Sequence, residues 1–154
     1  MLNAELITAI VTPFDDADEI DYAVLSTLTE HLLAQGCDGF VIGGTTGESP
    51  NLTTEEKLDL FTRFAAIVNG RAQIIANVGS NNTRQSVALA QQVSAFDGVD
   101  GLLVVVPYYN KPNQDGMIAH FTAIADAASK PVVIYNIPGR TGVDMQVATV
   151  ATLA

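Results

Sequence analysis

The alternation of strand-like and helix-like segments constrains the fold of this 154-residue chain more than any other feature. Short apolar runs begin roughly every 30 residues, which is the spacing of repeated β/α units. Most of these runs lack the apolar–polar alternation of a half-exposed strand, so we expect both faces of each strand to be covered, as in a parallel α/β sheet. The five predicted strands are residues 6–12, 39–43, 73–78, 101–106 and 131–136.

Segments with helical spacing fill the gaps between the strands. The first helix follows Asp21, and the second follows Thr53, which stands three positions before Glu56 as in a capping box. Further helices are predicted over residues 83–96 and 115–129, and a last one begins in the final ten residues. The pattern fits an open, doubly wound sheet or the first five units of a (β/α)8 barrel, since a complete barrel takes about 250 residues.

The charge of the chain narrows the range of partners. Seventeen acidic and seven basic residues give a formal net charge of −10. Such a surface repels nucleic-acid phosphates and anionic lipid, so neither nucleic acid nor a membrane is predicted as a partner. No signal peptide is expected, because no basic region precedes an apolar run at the N-terminus. Cys37 is the only cysteine, which fits core packing and a reduced, cytoplasmic setting.

Metal and cofactor motifs are missing from the sequence. No Cys, His and carboxylate residues have metal-ligand spacing, so no metal is predicted. The sequence has no Gly-x-Gly-x-x-Gly turn, and no nicotinamide or flavin cofactor is predicted. His31 and His120 fall within predicted helices, where we expect surface or packing roles.

The turn after the second strand is rich in glycine and hydroxyl groups. Its sequence is Gly-Gly-Thr-Thr-Gly-Glu-Ser over residues 43–49. Glycines on both sides of Thr45 and Thr46 permit a tight turn, and two hydroxyls with converging amides suit a carboxylate ligand. The alternative is an ordinary turn between a strand and a helix. The carboxyl ends of parallel strands form the functional side in either architecture, and both interpretations of this turn stay open on its sequence alone.

Tyrosine and arginine residues also follow strands. Tyr108 and Tyr109 come after the fourth strand, and Tyr135 ends the fifth. A phenol can donate a proton while staying mostly neutral, so Thr45, Tyr109 and Tyr135 are a candidate proton relay; the alternative is three buried rings with hydrated hydroxyls. Arg140 lies in a Pro-Gly-Arg-Thr-Gly loop, where a guanidinium can bind a carboxylate bidentately.

Three motifs in this order resemble those of the dihydrodipicolinate synthase family. They are Gly44-Thr45-Thr46-Gly47-Glu48, Tyr108-Tyr109-Asn110-Lys111-Pro112 and Tyr135-Asn136-x-Pro138-x-Arg140-Thr141-Gly142. The resemblance implies an α/β fold, a TIM (β/α)8 barrel truncated to about five β/α units. Residues 1–154 would form a partial barrel domain with strands one to five and the start of helix five. The family belongs to the wider N-acetylneuraminate lyase superfamily, and the arginine segment is similar to its synthases rather than to its sugar-acid aldolases.

The resemblance also implies an activity. Members of the family are class I carbon–oxygen lyases that condense pyruvate with L-aspartate semialdehyde in the diaminopimelate route to lysine, without a bound cofactor. Tyr135 would donate and accept the proton, and Thr45 and Tyr109 would complete the relay. Tyr109 would reach into a neighbouring subunit, which implies a tight homodimer and a tetramer at full length. Thr46 would bind the pyruvate carboxylate, and Arg140 the carboxylate of the semialdehyde.

The lysine that forms the Schiff base with pyruvate in this family lies at the end of strand six, which would begin beyond Ala154. The lysines present are Lys57 in the second helix, Lys130 before the fifth strand and Lys111 in a loop, outside a buried pocket of the kind that activates an amine. We therefore expect this chain to be inactive alone.

A lysine-effector pocket is implied at Ser49, Asn81, Gln85 and Tyr108. Gln85 stands where lysine-inhibited members have a glutamate, and Thr54 and Lys57 stand where they have histidines. Weak lysine feedback is therefore expected.

Two alternatives stay open. One is a non-catalytic half-barrel that assembles with itself or a partner through the apolar edges of its first and fifth strands. The other is a different pyruvate-dependent aldolase of the same superfamily.

Overall fold

The computed structural model describes residues 2–154, and these residues form two compact units. The first unit contains residues 2–77 and Phe96–Gly101, and the second contains Val78–Ala95 and Leu102–Ala154. Strands and helices alternate along the whole chain, which confirms the predicted α/β class.

The first unit has three parallel strands, β1 (Ile7–Ala9), β2 (Gly39–Ile42) and β3 (Gln73–Asn77). Ile7 lies opposite Gly39 in the register of β1 with β2, and Gly39 lies opposite Gln73 in that of β2 with β3. β1 is shorter than the predicted strand 6–12. Its last pairing bond runs from the N–H of Ile10 to the carbonyl of Val41, after which the chain leaves the strand.

Two helices of the first unit, α1 (Tyr22–Ala34) and α2 (Thr54–Val68), begin where the sequence predicts. The carboxylate of Asp21 caps α1 by accepting two backbone N–H groups. Thr53 and Glu56 form the predicted capping box at the start of α2, and this hydrogen bonding lowers the pKa of Glu56. Both helix starts are therefore determined by local sequence.

The core of the first unit lies beneath these helices. Leu25 of α1 and Leu60, Phe61 and Phe64 of α2 are fully buried. The rings of Phe40 and Phe64 pack edge to face, with centroids 5.4 Å apart and an interplanar angle of 88°. Burying one such side chain contributes roughly 1.5–3 kcal/mol, so this aromatic pair stabilises the unit.

Side chains of residues 37 and 38 add to the backbone pairing that holds β1. The Asp38 carboxylate accepts hydrogen bonds from the N–H groups of Glu5 and Leu6, at 2.9 and 2.7 Å, and these bonds lower its pKa. Cys37 is buried beside it, with Sγ 3.0 Å from the carbonyl oxygen of Gly39 and 3.4 Å from that of Leu6. Its predicted packing role is confirmed.

The second unit contains the parallel strands β4 (Gly101–Val105), whose last four residues fall in this unit, and β5 (Val132–Tyr135). The N–H groups of Val78 and Gly79 donate to the carbonyl of Leu103. A Cβ at Gly79 would lie 2.5 Å from the backbone nitrogen of Val105, so only glycine fits this close approach.

Four helices complete the second unit: α3 (Thr83–Ser94), α4 (Gln114–Ala127), α5 (Pro138–Thr141) and α6 (Val147–Leu153). The buried faces of α3 and α4 supply Leu89, Val93, Phe121 and Ile124. None of the helices in residues 2–154 combines the length and the apolar character needed to cross a bilayer.

The two histidines have the helical positions that were predicted. His31 is exposed on α1. His120 of α4 is 4% exposed, and its Nδ1 lies 2.9 Å from Oγ1 of Thr83. The Nε2 of His120 has no hydrogen-bond partner within the described part of the chain, and burial lowers the pKa of the ring.

Candidate active site

The threonine turn, residues 43–49, follows β2 directly. Gly43 has a φ of 62°, and a Cβ at that position would lie 3.0 Å from the Phe61 ring, so glycine is needed there on both counts. Two backbone bonds close the turn internally, from Glu48 to Thr45 and from Ser49 to Gly44, each at 3.2 Å. A 3-10 turn at Ser49–Asn51, which the sequence analysis did not predict, leads on to α2.

The outer part of the threonine turn offers unused hydrogen-bond donors. The backbone N–H groups of Thr45, Thr46 and Gly47 donate no hydrogen bond to any residue that the structure describes. The side chains of Thr45 and Thr46 are exposed. Successive N–H groups in a turn, with two hydroxyls beside them, form an anion-binding arrangement. The carboxylate site at this turn stays a prediction.

Two buried side chains hold this turn from below. Oγ1 of Thr12 donates a 2.8 Å hydrogen bond to the carbonyl of Gly47. Nδ2 of Asn77, at the end of β3, donates to the carbonyl of Gly43 at 2.9 Å and to Oγ of Ser49 at 2.8 Å. Neither residue was predicted to support this turn. Their signal was available, because each is a polar residue at the end of an apolar strand segment.

The tyrosine segment, residues 108–112, follows β4 in an irregular conformation. Tyr109 and Lys111 have φ values of 70° and 48°, in the left-handed region. The side chain of Tyr109 is 88% exposed. The amide of Asn110 donates to the carbonyl of Asn81 at 3.0 Å and so ties the segment to the start of α3. An exposed tyrosine on a tied, left-handed backbone is presented outward from its own unit.

Tyr135 is the last residue of β5 and is half-buried. Its carbonyl accepts a 2.9 Å hydrogen bond from the N–H of Val106. No hydrogen bond joins the hydroxyls of Tyr109 and Tyr135 among residues 2–154, and Thr45 belongs to the first unit. The relay of Thr45, Tyr109 and Tyr135 therefore stays a prediction.

Arg140 lies in the one-turn helix α5, where the sequence analysis expected a loop. Pro138 at the first helical position and Gly142 at the end, with a φ of 72°, favour this turn of helix. Arg140 is exposed and forms no ion pair within the described residues. A guanidinium without a carboxylate partner, in a chain of net charge −10, is available to an anionic ligand.

The segment that follows Arg140 is anchored by amide side chains. Nδ2 of Asn136 donates to the Asp144 carboxylate at 2.7 Å, and Nε2 of Gln114 donates to the Asp144 carbonyl at 2.9 Å. Oε1 of Gln114 also accepts hydrogen bonds from the N–H of Gln146 and the hydroxyl of Thr149. These hydrogen bonds fix both ends of the chain around α5. Asn136 was part of the motif found in the sequence, whereas Gln114 and Asp144 were not predicted.

The predicted effector residues fall into both units. Ser49 is buried and accepts the hydrogen bond from Asn77, and Tyr108 is half-buried. Within the second unit, Asn81 and Gln85 line a cavity of about 920 Å³ whose other lining residues are 82–84, Tyr109 and Asn110. Arg84 is the only charged residue of this lining, so the cavity holds no carboxylate to pair with an amine.

The lysines have the positions that the sequence analysis gave them. Lys111 is exposed in the tyrosine segment, and Lys57 lies on α2, where burial lowers its pKa. No group of three or more His, Cys, Asp or Glu side chains in the described range is arranged to hold a metal ion.

Comparison with known proteins decides the family. The model of the dihydrodipicolinate synthetase family matches residues 3–154. The chain belongs to this family. The 4-hydroxy-tetrahydrodipicolinate synthase of Lacticaseibacillus casei is 66% identical over 154 residues, which are all of this chain and 51% of that protein. The chain thus spans about half the length of this synthase, and the family is one of lyases.

Solved synthase structures agree with this assignment. The dihydrodipicolinate synthase of Bacillus anthracis matches with a TM-score of 0.95 and 45% identity over 99% of this chain and 52% of that one. The synthase of Acinetobacter baumannii, solved with pyruvate, matches with a TM-score of 0.93 and 40% identity over 96% of this chain and 50% of that one. The predicted fold class, a TIM (β/α)8 barrel truncated to about five β/α units, is confirmed.

Proposed function

We propose that residues 1–154 form the substrate-binding half of a 4-hydroxy-tetrahydrodipicolinate synthase, which condenses pyruvate with L-aspartate semialdehyde. In this reaction a lysine amine attacks the pyruvate carbonyl, water leaves, and the resulting Schiff base acts as an electron sink. Loss of a proton from the pyruvate methyl group gives an enamine, which attacks the aldehyde carbon. We assign this lysine to the part of the relatives that this chain does not span.

The observation that carries the proposal is the donor set of the threonine turn. The three successive backbone N–H groups of residues 45–47 have no hydrogen-bond partner in the described residues, and the two hydroxyls beside them are exposed. We assign the pyruvate carboxylate to this turn, with Thr46 as its principal side chain. The pyruvate complex of the Acinetobacter baumannii synthase supports pyruvate as the ligand.

The proton transfers are assigned to Tyr135, with Thr45 and Tyr109 as relay groups. A tyrosine can exchange a proton with the substrate and restore it through a chain of hydroxyls. The 88% exposure of Tyr109 supports its use by a second subunit, because an exposed ring on a tied backbone can enter a neighbouring site. We therefore propose a homodimer, and on the family resemblance a tetramer at full length.

The second substrate is assigned to Arg140. Its guanidinium lacks an ion-pair partner in the described residues and is presented by a helical turn between a proline and a left-handed glycine. A carboxylate of L-aspartate semialdehyde is the matching ligand. We also place the protein in the cytoplasm, since both substrates are central metabolites and Cys37 is an unpaired thiol.

None of the three lysines present is proposed as the nucleophile. Lys57 lies within α2, Lys130 lies before the start of β5, and Lys111 is solvent-exposed. The isolated 154-residue chain is therefore expected to form no adduct when treated with pyruvate and borohydride. An adduct on any of these lysines in intact-mass and peptide analysis would contradict the assignment.

A chimera tests the activity itself. This chain replaces the matching half of the Lacticaseibacillus casei synthase, to which it is 66% identical. The chimera is expected to condense the two substrates and to trap pyruvate on a lysine from the Lacticaseibacillus half. Replacing Tyr135 with Phe should lower kcat by about 10²–10⁴-fold, the usual contribution of acid–base catalysis.

The outcomes of this test separate the alternatives. A folded chimera that traps pyruvate and leaves the semialdehyde unreacted would favour another pyruvate-dependent aldolase. A folded chimera with neither adduct nor turnover, beside an active Lacticaseibacillus parent, would favour a non-catalytic half-barrel. Full activity of the Tyr135→Phe chimera would defeat the proton-transfer assignment.

A further inference from the structure

Asn77 connects β3 to both ends of the threonine turn. We propose that Asn77 is a positioning residue for substrate binding: its side-chain amide fixes the turn so that the N–H groups of residues 45–47 are already oriented for a carboxylate. This inference rests on the proposed function, since it takes the turn as the pyruvate site.

The side-chain amide of Asn77 bridges the two ends of the turn. Nδ2 of Asn77 donates at 2.9 Å to the carbonyl of Gly43 and at 2.8 Å to the hydroxyl of Ser49, which are the first and last residues of the turn. An NH₂ group has two hydrogens in one plane, so both are used, and the separation of the two acceptors is set. The residue is 5% exposed, so water does not compete for these bonds.

Apart from the bonds to Asn77, the turn has only weak internal support. Inside the turn, the two backbone bonds are both 3.2 Å long. Glu48 has a φ of 54°, a left-handed conformation that is unfavourable for a residue with a side chain. Thr12 holds the turn only at Gly47. Without Asn77 the ends of the turn would be joined only by the 3.2 Å backbone bond from Ser49 to Gly44. Ordering the amides would then reduce the free energy of ligand binding.

Asn77 lies at the end of a buried strand. β3 is buried over four of its five residues, which makes it a rigid support. Asparagine is disfavoured in strands, and a buried amide is costly unless its donors are bonded. Here the two donors of the Asn77 amide are bonded to the turn and not to the sheet. The hydrogen bonds to the turn therefore explain why an asparagine stands at the end of this strand.

The chimera described above provides the kinetic test. Asn77→Leu keeps the size of the side chain and removes its donors, and Ser49→Ala removes one acceptor. We expect Asn77→Leu to raise the KM for pyruvate about tenfold, because two hydrogen bonds of modest net strength are lost, while the KM for the semialdehyde stays within about twofold. Ser49→Ala should raise the pyruvate KM by less. Asn51→Ala is the matched control, because that exposed amide bonds the Glu48 side chain and not the turn backbone.

A purely structural role would give a different result. It would lower the active fraction, and hence kcat, with both KM values unchanged. That result, or an unchanged pyruvate KM in an active Asn77→Leu chimera, would overturn the inference. Matching far-ultraviolet circular dichroism spectra would establish that the compared variants are equally folded.

A measurement on the 154-residue chain separates this inference from the proposed function. If the unsubstituted chimera shows neither adduct nor turnover, the synthase assignment fails, and amide hydrogen exchange then tests Asn77. The Asn77→Leu substitution should speed exchange at the Glu48 and Ser49 amides, which close the turn, and leave the amides of α2 unchanged. Equal exchange in both chains would remove the positioning role as well.

Discussion

The hydroxyl of Thr12 donates a 2.8 Å hydrogen bond to the carbonyl of Gly47, which lies 35 residues further along the chain. Both residues are buried, and a Cβ at Gly47 would lie 3.0 Å from that hydroxyl. Replacing Thr12 with Val keeps the shape and leaves the carbonyl unsatisfied. We expect the free energy of unfolding in urea to fall by about 1–3 kcal/mol.

Two controls accompany this prediction. Thr12→Ser retains the donor and should recover most of the loss. Thr27→Val removes an exposed hydroxyl that bonds within α1 and should change the unfolding free energy by less than about 0.5 kcal/mol. Equal stabilities of the Thr12→Val and parent chains would contradict the prediction.

The Phe40–Phe64 pair predicts a large effect of a core substitution. Both rings are fully buried, and Phe64→Ala leaves a cavity beneath α2. The free energy of unfolding of the first unit should fall by about 3–5 kcal/mol, measured by urea titration or by hydrogen exchange of α2 amides. Phe14→Ala, at a ring that is 36% exposed, is the control and should cost roughly 1 kcal/mol. A comparable loss at both positions would argue against this core.

His120 predicts a pH dependence of stability. Burial holds its pKa below the ordinary value of 6.5, so in the range below that value the unfolded chain binds a proton that the folded chain excludes. Its contribution is therefore complete above about pH 6.5 and is lost as the pH falls below it, with a slope of at most about 1.4 kcal/mol per pH unit. Urea unfolding between pH 7 and 5 should show a smaller slope in His120→Phe than in the parent chain.

The exposed His31 supplies the comparison for that measurement. A His31→Asn chain should keep the slope of the parent, since this side chain lies on the open face of α1. If His120→Phe and the parent lose stability equally over this range, the buried ring is not the cause.

The cavity beside α3 predicts weak inhibition by lysine. Arg84 is its only charged lining residue, and Gln85 has no charge to pair with the lysine amine. In the chimera, Gln85→Glu should lower the half-inhibitory lysine concentration about tenfold, because it supplies the missing carboxylate. Gln92→Glu, on an exposed position of the same helix, is the control. A chimera that lysine inhibits equally with Gln and with Glu at position 85 would contradict the prediction.

Local chemistry accounts for what could be predicted from the sequence. The start of α2 depends on Thr53 and Glu56, three residues apart, and the strand cores depend on continuous apolar runs. The strand-end motifs identified the family and its barrel, which periodicity alone had left open beside a doubly wound sheet.

The features that could not be predicted from the sequence depend on contacts between residues far apart in the chain. The bonds from Thr12 to Gly47 and from Asn77 to Gly43 each cross more than 30 residues, and no local pattern encodes their geometry. The helical turn at Arg140 was missed for another reason: a proline and a glycine at its two ends read as loop signals, although they are also the signals of a short helix. The need for glycine at position 79 could not be predicted, because it depends on the close approach of the Val105 backbone.

The rate at which a thiol reagent labels Cys37 reports how often the structure beside β1 opens. Its sulfur contacts Leu6 and Thr8 on one side and the carbonyl of Gly39 on the other, so a thiol reagent reaches it only when the structure around it opens. Since the sequence contains no second cysteine, every labelling event reports an opening at this position. The labelling rate under native conditions, measured by mass spectrometry, therefore gives the rate of opening at this edge of the sheet without any added probe site.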